Sequence, residues 1–201
     1  MARPIGKSSK VRQQILDAAT RLFEQRGVDA VSMDDIVDDA GVVRATVYSH
    51  FGSKAALAAA CARLYLASLA DTLPRQAEPG RLRAALGEFA QRTQSWLQAH
   101  AAQARIFFEQ VQQAADFSGA PRDGPSLRLS LRALFSCARD TGDLPPDADI
   151  EFLADGYAYL WFMLCAQWLA QQDDAQLASR LAQLADLYAP GPRGSRDAAQ
   201  D

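Results

Sequence analysis

Cysteine, histidine and lysine are all scarce in this chain of 201 residues, and each shortage excludes something. The three cysteines, Cys61, Cys137 and Cys165, are widely separated and form no CxxC or CxxH pair, which argues against a disulfide framework or a zinc cluster. They read as free thiols in packed positions, with redox sensing as the alternative. The two histidines, His50 and His100, stand far apart. No carboxylate–histidine helix motif, GxSxG elbow or phosphate-binding glycine loop accompanies them. An enzyme is therefore not expected, and no catalytic residue, metal or cofactor is assigned. Sustained period-two alternation is missing, so no sheet is foreseen. Residues 1–12 are basic and polar with no apolar run behind them, unlike a signal peptide. The greasiest stretch, Tyr157 to Ala170, is shorter than the roughly 20 residues of a membrane span. A soluble, cytoplasmic protein without membrane contact is the expectation.

What the chain does contain is helix-forming sequence and an uneven charge distribution. Net charge is −3. Residues 1–60 carry 8 basic and 7 acidic side chains, or +1, and the remainder carries 13 and 17, or −4. All three lysines lie at or before Lys54, and Arg3, Lys7, Lys10 and Arg12 open the chain without an acid among them. Only that end is suited to touching phosphate. Apolar residues recur at helical spacing from Val11 to Phe23, with Gly27 as a stop. Ser32-Met33-Asp34-Asp35 has capping-box form, with aspartate in place of the usual glutamate. A short helix to Ala40, a turn at Gly41 and a second short helix over about Val43–His50 follow. Ser53 then caps an alanine-rich helix. Beyond the linker at residues 73–80, Leu82–Trp96, Ala102–Ala115 with Ile106, Phe107 and Val111, Leu127–Ala138, Asp149–Ala170 and Leu177–Tyr188 mark five more helices. Residues 117–125 are turn-rich. The fold class is all-α, about nine helices, with a core large enough to need no disulfide or metal.

Two short helices joined at a glycine and braced by a third make a helix-turn-helix. Its second helix must be short and small-faced at its start to enter a major groove about 12 Å wide. Val43-Arg44-Ala45-Thr46-Val47-Tyr48-Ser49-His50 has that character, Val43 and Val47 facing inward and Arg44, Ala45, Thr46, Tyr48 and His50 left for DNA. Residues 11–57 closely resemble the DNA-binding domain of the TetR/AcrR family of transcriptional regulators. The landmarks are Ala18-Ala19, Leu22-Phe23, Gly27, Ser32-Met33, Ile36, Ala40-Gly41-Val42, Thr46-Val47-Tyr48, His50-Phe51 and Ser53 to Leu57. Beyond Leu73 the similarity is one of helix count. The resemblance implies that Arg44 and Ala45 approach base edges, and that Thr46, Tyr48, His50, Lys54 and Ser32 clamp phosphates. Each residue has a plainer alternative. Tyr48 packs on the first helix, His50 edges the core, Arg44 and Lys54 are solvated charges, and Ser32 is only a cap. Val43 departs from the family's usual Ser or Thr, and Ala45 from its usual Gly.

The expected organisation is a flexible basic arm at 1–10, a helix-turn-helix domain at 11–55, a regulatory and dimerisation domain at 56–190 and a loose tail at 191–201. The helix at 149–170 is apolar nearly all round and needs cover on every side. The resemblance implies a homodimer built on the last two helices, with Trp168, Leu177, Leu181, Leu184 and Tyr188 at its interface. It also implies a near-palindromic operator in double-stranded DNA. Trp96, Phe107, Phe108, Phe135, Tyr157 and Trp161, with polar groups such as His100, Glu109 or Gln110, are candidates to line a site for a small hydrophobic effector; ordinary core is the alternative. A repressor released by such a ligand is the leading expectation. The competing one is a DNA-binding protein of the same fold with no small-molecule effector, controlled by a protein partner or acting architecturally.

Overall fold

A computed structural model describes residues 7–74, 78–113, 127–171 and 173–189. Arg3 of the expected arm, the turn-rich segment 117–125, the tail 191–201 and the side chains of Gln110 and Val111 lie outside the described residues. Among the described residues the order is α1 (Lys7–Arg26), α2 (Met33–Ala40), α3 (Arg44–Phe51), α4 (Lys54–Ala70), α5 (Leu82–Ala99), α6 (Ala101–Gln113), α7 (Leu127–Asp140), α8 (Ile150–Gln171) and α9 (Asp174–Tyr188). The chain is all-α, as the periodicity implied. Lys7 to Lys10, expected in the arm, already belong to α1.

The helices form two compact units. The first holds α1 to α3, α4 as far as Tyr65, and α6; the second holds α5 and α7 to α9, beginning at Leu66. The break thus falls inside α4, some ten residues after the boundary expected at 55, and α6 joins the head. No linear pattern marks such a division, because an unbroken helix serves both units.

In the first unit the apolar stripe of α1 forms one wall of the core: Ile15, Leu16, Ala18, Ala19, Leu22 and Phe23. Val28 and Val31 from the loop, Ile36 and Ala40 from α2, Val47 from α3 and Leu57, Ala58 and Cys61 from α4 complete it, with Ile106 packed against its edge. Polar ties fix α2 to α1. Gln14 Nε2 donates to the Ala40 carbonyl at 2.6 Å, closing the end of α2, and Arg21 pairs with Asp39 at 2.5 Å.

The second unit has an aromatic centre. Phe89 of α5, Phe135 of α7 and Tyr157 of α8 are fully or almost fully buried. Trp161 donates its indole N–H to Thr93 Oγ1 at 3.2 Å, while Thr93 donates to the Phe89 carbonyl at 2.8 Å, so both buried polar groups are satisfied. Asp143, in the loop after α7, accepts from the backbone N–H groups of Gly80 and Leu82 at 2.5 and 3.1 Å and closes the start of α5. Asp173 caps α9 through the Gln176 N–H at 3.0 Å.

Candidate nucleic-acid interface

The turn between α2 and α3 depends on Gly41, whose φ of 62° lies in the left-handed region that side chains disfavour. Its N–H returns to the Asp38 carbonyl at 3.2 Å, and the chain reverses into α3 within three residues. Val47 anchors α3, fully buried in the head core. Val43 does not join it. It is 70 % exposed, contrary to the inward placement read from its spacing. The cause is its position as N-cap, where φ −74° and ψ 145° are extended, so it lies off the helical register that relates residues four apart. No side chain caps α3.

Anchored by Val47, α3 turns a polar edge to solvent. Arg44, Ala45, Tyr48 and Ser49 are exposed, and Thr46 and His50 are half-buried. His50 leans on Phe51, ring centroids 6.2 Å apart, and the guanidinium of Arg12 covers Phe51 at 5.2 Å from its centroid. Arg12 is thereby joined to this edge from α1, a contribution that spacing along the chain could not reveal.

Arg44 is held by two neighbours. Its Nη1 lies 2.9 and 3.1 Å from the two carboxylate oxygens of Asp34, and its Nη2 donates to the Tyr48 hydroxyl at 3.4 Å. The guanidinium also lies over the Tyr48 ring, 5.4 Å from the centroid. The Tyr48 hydroxyl first, and the Asp34 carboxylate next, hold its pKa above the ordinary arginine value. Asp34 was not among the residues expected at this site; only the fold brings the first turn of α2 to the first turn of α3.

Two expected phosphate clamps are placed otherwise. Ser32 completes the capping box: its hydroxyl accepts from the Asp35 N–H at 3.1 Å and donates to the Asp35 carboxylate at 2.5 Å, which also accepts from the Ser32 N–H. Those bonds hold the Asp35 carboxyl below its usual range. Lys54 points back into the head, its ammonium donating to the carbonyls of Val28, Asp29 and Val31 at 2.9, 3.4 and 3.0 Å. It closes the loop after α1, where these three carbonyls converge. In this structure both side chains are spent on the fold.

The residues nominated for an effector divide between the units. Phe107 and Phe108 of α6 lie in the first, edge to face at 5.3 Å, with Arg63 over Phe107. Trp96, Phe135, Tyr157 and Trp161 belong to the second and are buried. There Phe89, Phe135, Tyr157, Trp161 and Tyr188 pack ring against ring at 5.2 to 6.5 Å. The Tyr157 hydroxyl is buried with no hydrogen-bond partner among the described residues, and burial pushes its pKa well up. His100 lies beside Tyr65 and Glu109 is exposed. A shallow cleft of about 10 Å³, room for roughly one water, opens elsewhere, between α8 and α9, beside Gln167, Trp168, Leu177 and Arg180.

The residues nominated for a dimer interface are corrected by burial. Trp168, Leu177, Leu181 and Leu184 lie inside the second unit, at most 6 % exposed, and Tyr188 stacks on Phe135 and meets Tyr157 edge on. The stripe of α9 covers α5 and α8 of its own chain. Among the described residues of this unit, the large apolar side chains left outside are Leu129 on α7, Phe152, Tyr159, Leu160 and Met163 on α8 and Leu187 on α9. Among the described residues no helix is long and apolar enough to cross a membrane, and no group of three histidine, cysteine or acidic side chains could hold a metal ion.

Fold and site together define an all-helical protein of two units, one of which carries an N-terminal helix-turn-helix that presents a short polar helix. Residues 15–61 match the profile of bacterial regulatory proteins of the tetR family. The N-terminal domain is thus of the TetR family. The HTH-type transcriptional regulator AcrR of Shigella flexneri is 45 % identical over 51 residues, which is 25 % of this chain and 24 % of that protein. The chain thus spans about a quarter of the length of the curated relatives it matches. Solved structures extend the likeness of fold further. A TetR regulator from Rhodococcus sp. RHA1 superposes over 89 % of this chain and 96 % of its own with a TM-score of 0.61 at 20 % identity. The repressor FadR of Thermus thermophilus, solved with lauroyl-CoA, superposes over 91 % and 100 % with a TM-score of 0.58 at 23 % identity.

Proposed function

We propose that this protein is a cytoplasmic, homodimeric transcriptional regulator that reads a near-palindromic operator with α3, and that it is a repressor released by a small, largely apolar effector. The observation that carries the first part is the exposed edge of α3, where Arg44, Ala45 and Tyr48 face solvent around a buried Val47. Such a helix fits a major groove, and an arginine at its start suits the O6 and N7 of guanine. Thr46, Tyr48 and His50 remain the residues suited to phosphates, with Arg12 of α1 joined to this edge through Phe51. Dimerisation would repeat α3 at a groove-compatible distance.

The second subunit is assigned to the exposed face of α8. Phe152, Tyr159, Leu160 and Met163 follow helical spacing, and Phe152 is 73 % exposed. The opposite face of the helix is already buried in its own unit. A contiguous apolar stripe of this kind marks an interface, and a twofold mate with the same stripe is its self-complementary cover.

The unpartnered hydroxyl of Tyr157 supports an effector that offers a hydrogen-bond acceptor among apolar rings. The Thermus protein of this fold forms a complex with lauroyl-CoA. The close ring packing around Tyr157 favours the second reading, a regulator with no small-molecule ligand. Anisotropy with duplexes from the protein's own upstream region tests DNA binding; no binding to any palindromic duplex by folded dimer at low salt refutes it. Thermal shifts against a panel of apolar compounds separate the two forms of control. A ligand at a hundredfold excess over its Kd stabilises by about 2.7 kcal/mol. Tyr157→Phe removes the orphan hydroxyl. A more stable variant that keeps every compound response would exclude Tyr157 from the effector site.

A further inference from the structure

Asp34 and Arg44 are each 61 % exposed at the side chain, so their ion pair does little for the fold; surface pairs of this kind contribute almost nothing to stability. The geometry of the pair is more informative than its strength. Both carboxylate oxygens of Asp34 engage Nη1, and Tyr48 engages Nη2 from the other side and from beneath. Four contacts, from one side chain on each of two helices, set the orientation of one guanidinium at the edge of α3. An arginine left free at a DNA surface reaches the nearest phosphate as readily as a base, because phosphates are closer and more numerous. A guanidinium held in one orientation meets a guanine edge without first losing its freedom.

We propose that Asp34 is a specificity-determining positioning residue. It aims Arg44 at a guanine, and its negative charge keeps that guanidinium off neighbouring phosphates. The proposal rests on the DNA-reading role of α3 and deepens it, since it identifies an acidic residue that a simple tally of positive charge would count as unfavourable. It acts only through Arg44, and that is its distinguishing mark.

The test is a double-mutant cycle. Wild-type protein first selects a preferred duplex from a random pool; failure to enrich any sequence would refute the DNA-reading role itself. Anisotropy then measures binding of that duplex and a scrambled one, across a salt series, for wild type, Asp34→Asn, Arg44→Ala and the double variant. Asp34→Asn is expected to bind scrambled DNA more tightly, with a salt slope steeper by about one phosphate contact. Its specificity ratio is expected to fall roughly fivefold or more, the lower end of what an arginine–guanine pair contributes. In the Arg44→Ala background the same change should leave the ratio untouched. Asp34→Glu, which keeps the charge, should recover part of the ratio, and it carries the test if Asp34→Asn fails to fold. An unchanged ratio in Asp34→Asn, or an equal fall with Arg44 absent, would overturn the proposal.

Discussion

Lys54, which the family resemblance offers to a phosphate, has a second set of partners within the fold. Its ammonium donates to three carbonyls in the loop after α1, of which Val28's also accepts from the Val31 N–H, and hydrogen bonds from a charged donor are worth about 1–3 kcal/mol. Lys54→Met is expected to lower the unfolding free energy by that amount in denaturant titrations, while the salt slope of DNA binding stays at the wild-type value. A flatter slope with unchanged stability would return Lys54 to the phosphates. Cys61 makes a second prediction at this scale. Its thiol is buried beside the Leu16 carbonyl, and burial pushes its pKa up from 9.0 to about 11. Below pH 9 both folded and unfolded chains keep the proton, and the thiol's contribution is fully present. Between pH 9 and 11 the unfolded chain loses the proton first, so stability falls with rising pH by about 1.4 kcal/mol per unit. Urea unfolding at pH 8 and pH 10 should show a steeper loss in wild type than in Cys61→Ala.

The short helices were legible because their ends are written in local chemistry. Ser32 and Asp35 make the capping box their spacing announced, Ser53 accepts from the Ala56 N–H at 3.1 Å, and Gly41 takes the left-handed turn. Periodicity likewise located the apolar stripes of α1, α5, α7 and α9. It could not say what lies on the far side of a stripe. The stripe of Leu177, Leu181 and Leu184 suits a second subunit as well as α5 and α8 of its own chain, and in the fold it is buried within its own unit. The pairing of Asp34 with Arg44 was invisible for the same reason, being created by a turn. At the start of α3 the missing cap yields its own prediction. Val43→Ser supplies a hydroxyl to the first-turn N–H groups and removes an exposed isopropyl. It should stabilise the head by about 1 kcal/mol, read as a higher thermal midpoint. No gain would mean that water already serves those groups equally well.

For the whole molecule, the exposed stripe on α8 is what a second copy would have to cover. Replacing Leu160 and Met163 together with glutamate leaves the core of the second unit intact, since both side chains already face solvent. Sedimentation at micromolar concentration should then show a particle of half the wild-type mass, and operator affinity should drop with it, because a single head makes half the contacts. A variant that still sediments with wild type would move the interface away from α8.

The docked ammonium of Lys54 also bears on amine chemistry. Lysines are few, and of those described Lys10 is exposed while Lys54 is tethered. An amine-reactive dye should therefore mark the first helix long before the fourth. A fluorophore placed this way would sit next to the reading head without any engineered cysteine, and the rate at which Lys54 eventually reacts would report how often the head loosens.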